Sequence, residues 1–119
     1  RNMGAPVVHF EIAVKDGEKG REFYAKVFDW KIKLEDSMNY GSVEAEEGGI
    51  GGGIMQAEEG QFPPYVTFYM QVDDIQKYLD RAEAEGGKAV YPPTEIPGVG
   101  WIGMFHDPDQ NLIGLWKQP

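Results

Sequence analysis

The chain has 119 residues, no cysteine and a formal net charge of −9 at pH 7, a size that fits one domain able to bury a core without cross-links. The missing thiols remove disulfide frameworks, thiolate metal sites and cysteine nucleophiles, while the acidic balance, with lysines and arginines scattered along the chain, disfavours phosphate backbones and anionic membranes. No stretch approaches the roughly 20 apolar residues that span a bilayer and no charged leader opens the chain, so a soluble cytoplasmic protein without nucleic-acid or membrane partners is expected.

Arg1 and Asn2 precede Met3, and Met3 is the expected natural start. Val8, Phe10, Ile12 and Val14 alternate with His9, Glu11 and Ala13, the period-two pattern of a strand with one apolar face. Asp16 can cap the helix that follows over residues 18–28, and Gly20, Phe23, Tyr24, Val27 and Phe28 recur at three- and four-residue spacing, a stripe expected to face the sheet. Trp30 to Leu34 reads as a second strand, Tyr40 to Ala45 as a third, and Ile50 to Gln56 as a fourth after the Gly48-Gly49 turn. Gln61-Phe62-Pro63-Pro64 is a natural joint, because paired prolines resist both helix and ladder.

Beyond that joint the plan starts again. Val66, Phe68, Met70 and Val72 are expected on one face of a strand and Thr67, Tyr69 and Gln71 on the other. Asp73 is the expected cap of a second helix, with Ile75, Tyr78, Leu79 and Ala82 as its buried stripe and Gly86-Gly87 as its stop. Lys88 to Tyr91, Val99 to Phe105 and Asn111 to Lys117 supply three more strands. Val14 and Val72, like Asp16 and Asp74, stand 58 positions apart, so the chain reads as one unit written twice.

The expected fold is therefore α+β: two tandem βαβββ modules, about 5–60 and about 64–119, form one domain with a cup-shaped mixed sheet and helices on the outer face. The face left by the helices carries His9, Glu11, Thr67, Tyr69 and Gln71, and such a concave face suits a small molecule. Tyr69 and Trp116 share it by strand parity, Met55 should lie near them, and Trp101 and Phe105 belong to a strand apolar on both sides, whose faces parity does not assign. Planar or hydrophobic compounds stack well on such side chains, although core or dimer contacts explain aromatics equally well.

Four segments carry a family resemblance: His9-x-x-Ile12-x-Val14-x-Asp16, the helix stretch Phe23-Tyr24-x-x-Val27-Phe28-Asp29-Trp30, Val72-Asp73-Asp74, and Asp107-Pro108-Asp109-Gln110-Asn111-Leu112-Ile113. In this order and within a duplicated frame, the chain resembles the vicinal oxygen chelate superfamily of glyoxalase I, bleomycin-resistance proteins and extradiol dioxygenases. Asp29 and Gln110 stand where that family often has glycine, so left-handed backbone is expected at both, more easily borne by Asp than by Gln. The resemblance also implies a homodimer.

In the metal-dependent members two histidines and two glutamates hold a divalent ion. The matching positions here are His9, Thr67, Gly53 and Gly114, and a hydroxyl with two glycines cannot replace an imidazole and two carboxylates. No metal or other cofactor is therefore expected, the alternative being a divalent metal ion in a rearranged site around His9 and Glu11, with His106 as a further candidate. His9 and Glu11 are also the candidates for catalytic acid/base work; a polar pair tying the sheet together is the plainer explanation. Gly48-Gly49-Ile50-Gly51-Gly52-Gly53 lacks the lysine and helix start of a phosphate loop and reads as a strand of small residues. The acidic clusters Glu44, Glu46, Glu47 and Glu58, Glu59 read as solvated surface.

The leading expectation is a metal-independent small-molecule-binding protein of the glyoxalase or bleomycin-resistance type. It would hold a planar or hydrophobic ligand with His9, Glu11, Met55, Thr67, Tyr69, Gln71, Trp101 and Trp116. The alternative is a metal-dependent lyase, isomerase or dioxygenase.

Overall fold

The computed structural model describes residues 4–35 and 39–119; Met3, the expected start, lies outside them. Among the described residues ten elements follow in chain order: β1 (Val7–Val14), α1 (Gly17–Phe28), β2 (Ile32–Glu35), β3 (Tyr40–Val43), β4 (Gly51–Gln56), β5 (Tyr65–Gln71), α2 (Ile75–Ala84), β6 (Lys88–Ile96), β7 (Gly100–His106) and β8 (Leu112–Lys117). They group into two compact units, His9–Thr67 and the residues up to Val8 with Phe68–Pro119. Among the described residues no helix is long and apolar enough to cross a membrane.

The first unit orders its strands β2-β3-β4-β1. β2, β3 and β4 run antiparallel, and β4 closes against β1 in parallel, with Glu11 opposite Gly53 and Ala13 opposite Met55. One side of this sheet is the core: Ile12, Val43 and Ile54 are buried, with Phe10, Val14, Tyr24, Trp30 and Ile32 packed on them. Strand two begins later than expected, since Trp30 sits in the loop before β2 and stacks on Tyr24 at 5.5 Å.

The second unit repeats the plan as β5-β8-β7-β6, with β6, β7 and β8 antiparallel and β8 parallel to β5. Its core is Val72, Ile75, Leu79 and Leu115, backed by Ala5, Met70, Tyr78, Ala89 and Phe105. Each unit is α+β, a mixed four-stranded sheet with one helix. β6 runs to Ile96, past the expected Tyr91, with register shifts between Ala89 and Tyr91 and between Tyr91 and Thr94. It closes one end of the strand order, and Pro92 and Pro93 sit in the shifted stretch, where missing N–H donors are tolerated.

Both helices start in the same way. Asp16 Oδ1 accepts from Lys19 N and Asp74 Oδ1 from Lys77 N, each at 3.1 Å. The cap of α2 is thus Asp74, the repeat mate of Asp16, and not the expected Asp73. An aspartate in extended backbone just before the first helical residue satisfies one of the otherwise unpaired N–H groups. Asp29 (φ 56°) and Gln110 (φ 73°) both take the left-handed conformation expected of them.

Two expected apolar faces are only partly covered. In α1 the inward arc is Gly17, Gly20 and Tyr24, with Gly20 so close to Val14 that an added Cβ would lie 2.6 Å from Cγ2. The aliphatic part of Arg21 lies over Gly41 on the same side. With the small residues setting that rotation, Phe23, Val27 and Phe28 are left 57%, 52% and 57% exposed, and the expected stripe is corrected to its Gly20–Tyr24 half. In β5, Met70 packs on the core of the second unit, whereas Val66 is 71% exposed.

Candidate functional site

The pairing of β1, β4 and β3 decides what shares the uncovered face of the first unit. His9, Glu11 and Ala13 on β1 stand opposite Gly51, Gly53 and Met55 on β4, and Tyr40 on β3 stands opposite Met55. Directly paired residues point to the same side of a sheet, so His9, Glu11, Tyr40 and Met55 project together, away from the core. Tyr65, at the start of β5, reaches the same group.

These side chains form one hydrogen-bonded network. His9 Nε2 and the Tyr40 hydroxyl are 2.7 Å apart, Tyr40 Oη donates to Glu11 Oε1 at 3.5 Å, and Tyr65 Oη donates to Glu11 Oε2 at 2.5 Å. Met55 Sδ lies 3.8 Å from the Tyr65 hydroxyl. The His9 and Tyr40 rings are parallel to within 11° with centroids 6.4 Å apart. Glu11 is only 6% exposed, so the carboxylate lies beneath the two phenols while the rings of His9, Tyr40 and Tyr65 and the Met55 thioether are half-buried above it.

Burial shifts the imidazole and the two phenols in opposite directions. Loss of hydration holds the His9 imidazole below its ordinary 6.5, since desolvation disfavours the cation. Burial raises Tyr40 and Tyr65 well above 10.0, and the charge and hydrogen bond of Glu11 add to the rise. A phenolate beside a buried carboxylate would place two negative charges in contact, so both hydroxyls stay protonated donors at neutral pH. With the imidazole neutral, the Nε2–H tautomer closes the chain: Nε2–H donates to the Tyr40 oxygen, whose single proton goes to Glu11.

In the second unit Tyr69 and Gln71 on β5 stand opposite Gly114 and Trp116 on β8, and Ile102 and Met104 on β7 share their face through Trp116 and Gly114. Tyr69 is buried, and its ring lies over Gly114: an added Cβ there would fall 2.5 Å from Cδ2. Trp101 stands on the other face, with Gly103, Phe105 and Leu115. That face meets α2, since a Cβ on Gly103 would touch Ile75. Trp101 therefore does not join Tyr69, Gln71 and Trp116, and the parity of β7 that was open in the sequence is settled by its pairing with β8.

The glycines decide whether the residues present fit a metal ion. A Cβ built on Gly53 would lie 1.8 Å from the Tyr40 hydroxyl oxygen, so that phenol fills the space a side chain at Gly53 would use. Tyr69 does the same at Gly114. The donor set at the four family positions is one imidazole, the buried Thr67 hydroxyl and two glycines covered by aromatic rings, which does not fit a divalent ion. Among the described residues no three His, Cys, Asp or Glu side chains form a group able to hold one.

The structure thus joins His9, Glu11 and Met55 in one network and places Thr67 in the same unit, buried, on the strand that begins with Tyr65. Sequence reasoning missed Tyr40 and Tyr65. Parity could have found Tyr65, which alternates with Thr67, Tyr69 and Gln71; Tyr40 needed the β3–β4 register.

Residues 7–115 match the family model of the Glyoxalase/Bleomycin resistance protein/Dioxygenase superfamily. The chain is 25% identical over 114 residues to CFP32 of Mycobacterium bovis, covering 90% of this chain and 43% of that protein. It is 21% identical over 131 residues to the anthracycline biosynthesis protein DnrV of Streptomyces peucetius, covering 97% and 47%. The chain thus spans less than half the length of these curated relatives. Its fold is similar to the crystal structure of methylmalonyl-CoA epimerase from Mycobacterium tuberculosis, with a TM-score of 0.69 at 17% identity, covering 100% of this chain and 93% of that one. By the match over 7–115, the chain belongs to the Glyoxalase/Bleomycin resistance protein/Dioxygenase superfamily.

Proposed function

We propose that this protein binds a planar or hydrophobic organic molecule without a metal ion, on the face that carries His9, Tyr40, Met55 and Tyr65. The observation that carries this reading is the Tyr40 phenol filling the side-chain space of Gly53. Where the family resemblance implies a metal-binding carboxylate, this chain has Gly53 with the Tyr40 ring filling its side-chain space. Two parallel rings, His9 and Tyr40, offer a flat surface, and the Tyr65 ring and the Met55 thioether extend it with polarisable contact. Beneath them Glu11 fixes both hydroxyls, which keeps the rings in place before a ligand arrives. The likeness to a protein of anthracycline biosynthesis supports a flat, fused-ring guest.

Thermal-shift and calorimetric titration with planar polycyclic compounds tests the reading. Saturation at about 100 times Kd should stabilise the fold by about 2.7 kcal/mol, roughly 10 °C in Tm for a chain of this size. Elemental analysis after chelator-free purification should find no stoichiometric divalent metal; one tightly held ion per chain would overturn the proposal.

A second reading follows from one specific feature, the Tyr40 hydroxyl standing between the His9 imidazole and the Glu11 carboxylate. That sequence of groups is a proton path, suited to removal and return of a proton on a bound substrate, the kind of step an epimerase performs. Turnover that disappears in His9→Ala and in Tyr40→Phe would favour catalysis over simple binding. Unchanged turnover in both would exclude these roles.

A further inference from the structure

In the second unit the cover that α2 gives its sheet is incomplete. A cavity of about 350 Å³ remains between them, with Met70, Val72, Phe105 and Leu115 on the sheet side and Tyr78 and Ala82 on the helix side.

The first unit fills the corresponding space with its own rings. Asp16 and Asp74 cap the two helices at equivalent points, so Tyr24 on α1 and Ala82 on α2 hold the same helical position, 58 residues apart. Tyr24 packs on the core beside Ile12 and Val14, and stacks on Phe28 at 6.4 Å and on Trp30 at 5.5 Å. The repeat mates of Ile12 and Val14 are Met70 and Val72, which line the cavity; those of Tyr24, Phe28 and Trp30 are Ala82, Gly86 and Lys88. The second copy of the plan thus keeps the floor and lacks the rings that cover it in the first.

Apolar walls left open in this way favour an apolar guest, because water against them is released when a ring enters and the ring supplies the missing dispersion contacts. Cavities lined by such side chains take up small aromatic molecules even when much smaller than this one. Charge narrows the choice. Arg81, Glu85 and Asp107 also border the cavity, one cation to two anions, and the Arg81 guanidinium lies over the Tyr78 ring at 5.1 Å. An anionic guest would meet a net negative rim, whereas an uncharged flat one needs only the walls.

We propose that this cavity is a second binding site, for an uncharged aromatic molecule of one or two fused rings, which takes the place that Tyr24 and Trp30 hold in the first unit. The site shares no residue with the face of His9, Tyr40, Met55 and Tyr65, and it stands or falls independently of the function proposed for that face.

Titration of the isotope-labelled chain with indole, followed by amide NMR, both detects the guest and locates it. Indole should bind with Kd on the order of 0.1–1 mM and shift the signals of Val72, Ala82, Phe105 and Leu115. Indole-3-acetate should bind about 10-fold more weakly, because its carboxylate meets the acidic rim. Ala82→Tyr, which returns the ring of the first unit, should abolish these shifts, and Ala82→Met, which intrudes less, should weaken binding about 10-fold. Circular dichroism confirms that both variants keep their fold. Shifts confined to His9, Tyr40 and Tyr65 would overturn the proposal, as would indole binding unchanged by Ala82→Tyr or indole-3-acetate bound as tightly as indole. So would Overhauser contacts to Phe105 from a distant segment or a second copy that persist at saturating indole, since the cavity would then already be filled.

Discussion

The hydroxyl of Tyr40 stands where a side chain on Gly53 would have to go: a Cβ there would be 1.8 Å from the phenol oxygen and 1.9 Å from Cζ. Glycine at this position and tyrosine at the other are therefore one feature of the site and not two.

This coupling is measurable as a double-mutant cycle. Gly53→Ala alone should cost about 1–3 kcal/mol of stability, the usual range for overpacking a filled space. In a Tyr40→Ala background the same change should cost less than about 0.5 kcal/mol, because the obstructing ring is gone. Urea denaturation of the four proteins gives the coupling; additive costs would mean that the ring is not what excludes a side chain at Gly53.

Tyr65→Phe should destabilise the fold by about 2 kcal/mol. The phenylalanine keeps the packing, but the buried Glu11 carboxylate loses its closest donor. Chemical denaturation at neutral pH reads the loss, and a cost within error of zero would show that the carboxylate is satisfied without Tyr65.

Stability should decline as pH falls below about 6.5, in a segment owed to His9. Its folded value is depressed by burial, so between the folded value and the ordinary 6.5 the unfolded chain takes up a proton that the folded chain refuses. Stability is then full above 6.5 and decreases beneath it by at most about 1.4 kcal/mol per pH unit until the folded value is reached. The difference between the wild-type and His9→Gln stability curves isolates this segment from the carboxylates; parallel curves from pH 7.5 to 5 would refute it.

The two aspartate caps should behave alike. Asp16→Ala and Asp74→Ala should each cost about 1 kcal/mol by removing the acceptor of the third helical N–H, while Asp73→Ala should stay within about 0.5 kcal/mol. Thermal unfolding of the three variants distinguishes the structural cap from its neighbour in sequence.

Much of the architecture was legible because it rests on local patterns. Alternation in Val8 to Val14 and Val66 to Val72 announced β1 and β5, and the shared spacing of Val14 with Val72 and Asp16 with Asp74 announced the repeat. That spacing also contained the right cap for α2. The left-handed turns at Asp29 and Gln110 and the pairing of His9 with Glu11 on one face belong to the same local class, since each depends on residues a few positions apart. β6 was legible only to Tyr91, because prolines that forbid a central strand are tolerated where the ladder is already irregular.

What the sequence by itself determined is the two-sided alternation of β1 and β5, the repeat that carries both helix caps, and a threonine and two glycines where the family resemblance places a second imidazole and two carboxylates. Only the tertiary structure decided what stands in their place. Tyr40 reaches Gly53, Tyr65 reaches Glu11 and Tyr69 lies over Gly114 through strand registers, and a register is a relation between distant segments that no periodicity within one segment encodes. The same holds for α1: its repeating pattern marks a stripe of apolar residues, but the close approach of Gly20 to Val14 sets the rotation that buries half of that stripe and leaves Phe23 and Val27 facing outward.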